Sequence, residues 1–141
     1  MSKDLQACKV LLSIHHIHAE RILSGEKELE MRKTAPSCPC TVLMYETKKN
    51  GGAGAVVGLF ECRAKIKTNA FSKKGATSRE GDAYRADVAR RACLSEDELY
   101  TYANNGSVIG LVVSTPIRFP RPRPLSDFGV KRAPQSWQYL K

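Results

Sequence analysis

Gly25-Glu26-Lys27-Glu28-Leu29-Glu30-Met31-Arg32 sets a glycine and charges of both signs directly after an amphipathic segment. Strand alternation over this stretch puts Glu28, Glu30 and Arg32 on one face and Leu29 and Met31 on the other. Opposite charges on one short strand face suit the floor of a polar pocket. Lys27 has the other parity and has to reach such a pocket from the turn before the strand is regular, at a place where no core demands a side chain. A lysine there supplies a mobile cation for a phosphate or a developing oxyanion. Arg32 can fork onto a phosphate or carbonyl. Glu30 either accepts from the exocyclic amine of a base or pairs internally with Lys27 or Arg32.

The flanks give this strand its context. Lys9 to Ile14 is a short apolar run suited to a buried strand. From His16 to Ser24, Ala19, Ile22 and Leu23 share one helical face, and Gly25 falls where a helix C-cap is expected. Ala35-Pro36-Ser37-Cys38-Pro39 reads as a turn, and Thr41 to Thr47 as a strand. Lys48 to Gly52 is a loop tip. Its glycines lack a lysine-serine sequel, so no Walker-type phosphate loop is present. Ala55 to Lys67 alternates over more than ten residues and reads as one long strand, with Gly58 marking a bend or a close backbone approach. Asn69 to Gly81 reads as a polar basic loop, and about Asp82 to Cys93 as a helix. Ser95 and Glu98 form a capping box, and Asn104-Asn105-Gly106 stops the helix that follows. Ser107 to Ser114 reads as a central strand. Thr115 to Pro124 pairs only along its first part, because prolines then make it extended coil. No βαβ repeat is present, so the expected class is α+β: a small mixed or antiparallel barrel with peripheral helices.

A chain of 141 residues with 42% hydrophobic content favours one domain over residues 1–141 with an ordinary core. No apolar run approaches a bilayer span, and the first residues are too polar for a signal peptide. A cytoplasmic location and no membrane partner are the expectation. Net charge is +9 and the pI about 9.5, which favours polyanionic partners: RNA, DNA or nucleotides. Five cysteines exclude a complete intrachain disulfide framework. Cys38 and Cys40 are the only close pair. Two thiolates do not complete a tetrahedral site, so neither a metal site nor a cofactor is expected. Cys62 and Cys93 read as small buried hydrophobes.

Three places resemble the ASCH superfamily, whose domains are similar to the PUA RNA-binding fold. Gly25, Lys27, Glu30 and Arg32 match its central signature. Leu11-Leu12-Ser13-Ile14, with Ala19 and Ile22, resembles its opening, although His15 and His16 stand where a proline is common. Pro124 to Gly129, followed by Ala133 to Leu140, is similar to the end of a prokaryotic subgroup described as predicted transcriptional regulators. The resemblance implies a PUA-like barrel that binds RNA, a nucleotide or a modified base in a basic cleft. It also brings in relatives that are amidohydrolases on N4-acylated cytidines and others that resemble ribonucleases. In the amidohydrolases a lysine matches Lys27, and a threonine nucleophile stands where this chain has Glu30. A glutamate before a later helix completes that set, and Glu96, Asp97 and Glu98 lie in such a region.

The expected ligand set is Ser13, Lys27, Glu30, Arg32, Gln135, Ser136 and Trp137, with Lys27 and Glu30 catalytic only if the protein is an enzyme. Ser13 either bonds a ligand or caps the following helix. Trp137 either stacks on a base or, with Tyr139, anchors the C-terminus. The alternatives to a binding protein are a small hydrolase with Lys27 in its active site and a non-catalytic interaction module. The oligomeric state is not legible in the sequence.

Overall fold

The computed structural model describes residues 8–73 and 81–141. Strand β1 (Lys9–Ile14) leads into helix α1 (His16–Leu23), then β2 (Leu29–Arg32), β3 (Cys40–Glu46), β4 (Ala55–Cys62) and β5 (Lys65–Thr68). Helices α2 (Gly81–Ala92) and α3 (Glu96–Ala103) follow, then β6 (Val108–Val112), β7 (Ser114–Arg123) and β8 (Trp137–Leu140). The strands form two sheets, one ordered β7-β4-β3-β1-β8 and one ordered β2-β6-β5. The α+β class and the mixed pairing hold, since β1 runs parallel to β3 while the other pairs are antiparallel. The barrel expectation is met only coarsely, because two separate ladders stand where one closed ladder was expected.

Each sheet has its own hydrophobic partner. On one face of the five-stranded sheet, Val10, Leu12 and Ile14 of β1 pack with Ile22 of α1, Met44 of β3 and Phe60 of β4. On its other face Leu11, Leu43 and Val56 meet the segment after β7, through Leu125, Phe128 and Val130. The three-stranded sheet buries Leu29, Met31 and Val108 against Val88 and Ala92 of α2 and Leu99 of α3. Leu111 of β6 joins the five-stranded cluster instead. Glu30 lies opposite Leu111 in the β2–β6 register. The charged face of β2 therefore turns toward the space between the sheets, which is why Glu30 is buried.

Several local signals act as read. The Ser95 hydroxyl accepts from Glu98 N–H at 3.0 Å and the Glu98 carboxylate accepts from Ser95 N–H at 3.0 Å, closing the capping box. Asn104 and Asn105 take positive φ at the end of α3, and Gly25 does so after α1, with φ +86°. Gly58 marks a close approach, since a Cβ there would meet the Ile117 carbonyl of β7.

Four expectations are corrected. The run Ala55 to Lys67 is two strands in different sheets, broken at Arg63 and Ala64. Alternation persists across the break, but Phe60 and Cys62 enter one cluster and Ile66 another. Residues Thr115 to Arg123 remain in β7 to its end. As an edge strand β7 tolerates Pro116, Pro120 and Pro122, and its register with β4 shifts between paired residues. The loop expected over Asn69 to Gly81 contains a buried core residue, Phe71, and begins to turn at Asn69 through Ser72 N–H; residues 74–80 lie outside the described residues. Finally, Cys93 is half-buried and takes φ +55° at the end of α2, so it acts as a helix terminator more than as core.

Candidate functional site

The chain leaves α1 through Ser24 and Gly25 and folds back, with Lys27 N–H donating to the Arg21 carbonyl at 2.9 Å and Glu28 N–H to Arg91 at 2.7 Å. This return aims the Lys27 side chain inward, where it is 1% exposed. Its ammonium donates to the carbonyl of Ala92, the last residue of α2, and lies 3.6 Å from Glu30 Oε1. A cation suits a helix C-terminus, whose last carbonyls lack intrahelical donors. The expectation that no core demands Lys27 is thereby corrected: this lysine joins the end of α2 to the floor of a cavity. Burial lowers its pKa below the ordinary lysine value, and the Glu30 carboxylate opposes that shift.

Arg32 completes the floor. Its Nε donates to Glu30 Oε2 at 2.9 Å, its Nη2 to the Ser13 carbonyl at 2.8 Å and its Nη1 to Ser136 Oγ at 3.3 Å. Ser13 Oγ donates to the Pro134 carbonyl at 2.6 Å, and Ser13 N–H to the Ser136 carbonyl at 2.9 Å. Ser13 thus caps no helix; it ties β1 to the segment before β8. Glu30 receives both Lys27 and Arg32, so the internal pairing and the pocket position coexist.

Above this floor lies a cavity of about 400 Å³, within the range of small-ligand sites. Ser13, Lys27, Glu30, Arg32 and Gln135 reach its wall. Ser136 supports it through Arg32. Trp137 does not line it. The Trp137 indole N–H donates to Thr34 Oγ1 at 3.1 Å, and its ring packs edge-on against Tyr139 at 5.2 Å and against the core. Trp137 is therefore an anchor for β8.

The cavity also uses residues outside the expected ligand set, among them Glu98, which lies in the region where the family resemblance implies a glutamate. His15 and His18 of the α1 start, Thr47, Glu98 and Tyr102 all line it. By spacing, Tyr102 belongs with Leu99 and Ala103 to one apolar helical face; in the structure it is 36% exposed, with Lys33 Nζ 5.4 Å from its ring centroid. Burial raises its phenol pKa. The one available signal is the position of Tyr102 two residues before the Asn104 cap, at the end of its helix.

His18 of α1 also lines the cavity. Its Nδ1 is buried without a hydrogen-bond partner among the described residues. Burial, then the Lys27 ammonium, lower its pKa below 6.5, with Glu30 opposing and Arg21 and His15 adding to the depression. The folded chain therefore binds fewer protons here than the unfolded chain. The stability this neutral imidazole gives is complete above pH 6.5 and is lost as pH falls through the lower folded-state value. His18→Asn is expected to flatten the decline of the melting temperature from neutral to mildly acidic buffer; an unchanged slope would remove His18 from that linkage.

No protein-family model and no curated protein matches the sequence. Among solved structures, the chain is similar to the ASCH protein of Zymomonas mobilis. One crystal structure of that protein gives a TM-score of 0.73 at 19% identity, covering 94% of this chain and 87% of that one. A variant of it with a serine replaced by alanine gives 0.74 at 18% identity, over 94% and 88% of the two chains. A variant with a tyrosine replaced by phenylalanine gives 0.73 at 18%, over 94% and 90%. With this agreement over nearly its whole length, the chain has the fold of an ASCH domain.

Proposed function

We propose that this is a single ASCH domain that binds RNA through one nucleotide, or a free nucleotide or modified base, in the cavity floored by Glu30 and Arg32. The observation that carries the reading is the convergence of Lys27, Glu30 and Arg32 on one cavity of about 400 Å³. Glu30 offers an acceptor matched to an exocyclic amine. Gln135 and Ser13 offer neutral polar groups at the wall, and Tyr102 supplies the π face that Trp137 does not. Lys27 works behind the floor, holding Glu30 in place. The surplus of positive charge brings the phosphate backbone to the surface.

A titration with short single-stranded RNA and with cytidine monophosphate tests this. Tyr102→Ala is expected to weaken binding about tenfold or more, since stacking on an aromatic contributes about 1–3 kcal/mol per base. Gln135→Ala, at an exposed position, should weaken it without loss of fold. Trp137→Ala should lower stability and leave the affinity of the folded fraction unchanged. Log affinity for RNA should fall against log salt with a slope of roughly 0.7 per neutralised phosphate. No binding of either probe, or equal affinity in Tyr102→Ala and Gln135→Ala, would overturn the assignment.

A further inference from the structure

We propose that Cys38, Cys40 and Cys62 form a three-thiolate site for a thiophilic divalent cation, with zinc the ion best suited to it. The sequence shows only two of these residues close together. The antiparallel register of β3 and β4 supplies the third by setting Cys62 directly opposite Cys40. The turn before β3 brings Cys38 to the same place, with its sulfur 3.4 Å from that of Cys62. All three sulfurs lie within 4.8 Å of one another. A zinc ion about 2.3 Å from each of three sulfurs holds them roughly 3.8–4.0 Å apart, so small side-chain rotations suffice.

The surroundings fit the charge of that ion. Three thiolates and a divalent cation leave one negative charge, which burial penalises unless it is paired. Lys65 supplies the pair. Its ammonium donates to the Pro36 carbonyl at 3.0 Å and acts electrostatically on Cys38. A monovalent ion would leave two negative charges against one lysine. Cys40 and Cys62 are fully buried while Cys38 is half-buried, so a water can approach from the Cys38 side as the fourth ligand. As each sulfur–metal bond forms, any proton on that sulfur leaves to solvent, and the bound ion fastens the turn at residues 35–39 to the sheet.

Cd(II) titration of the reduced full chain tests the site, read by the ultraviolet thiolate charge-transfer band and by native mass spectrometry. One Cd(II) per chain is expected, bound in place of zinc when the zinc-loaded chain is titrated. Cys38→Ser, at the most accessible of the three positions, should weaken it at least a hundredfold, and Cys93→Ser should leave it unchanged. Bound Cd(II) should also slow iodoacetamide alkylation of Cys38 in the unmutated chain, a readout that needs no variant to fold. Absence of the band, full retention by Cys38→Ser, loss in Cys93→Ser, or unslowed alkylation would each overturn the proposal.

Discussion

Lys27→Ala will lower folding stability by about 3–5 kcal/mol, the usual cost of deleting one partner of a buried ion pair. The alanine cannot reach the Ala92 carbonyl, so α2 loses a cation at its C-terminus. Glu30, 5% exposed, keeps Arg32 but loses its second counter-charge. Much of the cost belongs to the stranded carboxylate, and a double substitution separates it. In Lys27→Met with Glu30→Gln, the amide oxygen still accepts from Arg32, which keeps its bonds to Ser13 and Ser136, and no buried carboxylate is left short of a counter-charge. The double variant should therefore be clearly more stable than Lys27→Ala alone. Urea midpoints at constant m-value give the comparison. A Lys27→Ala midpoint equal to the parent's would mean that the lysine is not held in the interior as described.

Arg32→Met should cost about 3 kcal/mol. Three donors are lost at once, and bonds to or from charged groups contribute about 1.5–3 kcal/mol each, part of which the methionine recovers by packing. The three acceptors lie on different segments: Glu30 on β2, the Ser13 carbonyl on β1 and Ser136 before β8. The loss should thus show twice, in the denaturation midpoint and in faster amide exchange of residues 136–140. Arg32→Lys keeps the charge but not the planar fork, so it should restore stability only partly and leave the exchange fast. If Arg32→Lys behaves as the parent, the fork geometry is not what fastens β8.

Legibility in the sequence follows the range of the interaction. The Ser95–Glu98 box, the Asn104 stop and the Gly25 turn are settled within a few residues, and each reads correctly. The pocket floor was half legible: alternation alone put Glu30 and Arg32 on one face. The role of Lys27 was not, because its main partner is the carbonyl of Ala92 on another helix. Periodicity likewise fails at Arg63 and Ala64, where the chain keeps its alternation while changing sheets. Trp137 carried the chemistry of a stacking residue, yet Thr34 and Tyr139 claim it. Tyr102 looked like core and faces the cavity. In both aromatics the residue type is ambiguous, and only the packing of distant elements decides.

The prolines of β7 bear on how copies of this chain meet. An open sheet margin ordinarily invites another chain to add a strand, the first step toward fibrous aggregates. Pro116, Pro120 and Pro122 have no amide hydrogen to give, so an arriving strand finds a broken row of donors along that margin. The opposite margin, β8, spans only Trp137–Leu140. The five-stranded sheet is thus guarded at one side by chemistry and at the other by brevity, which disfavours edge-to-edge pairing between copies of this chain.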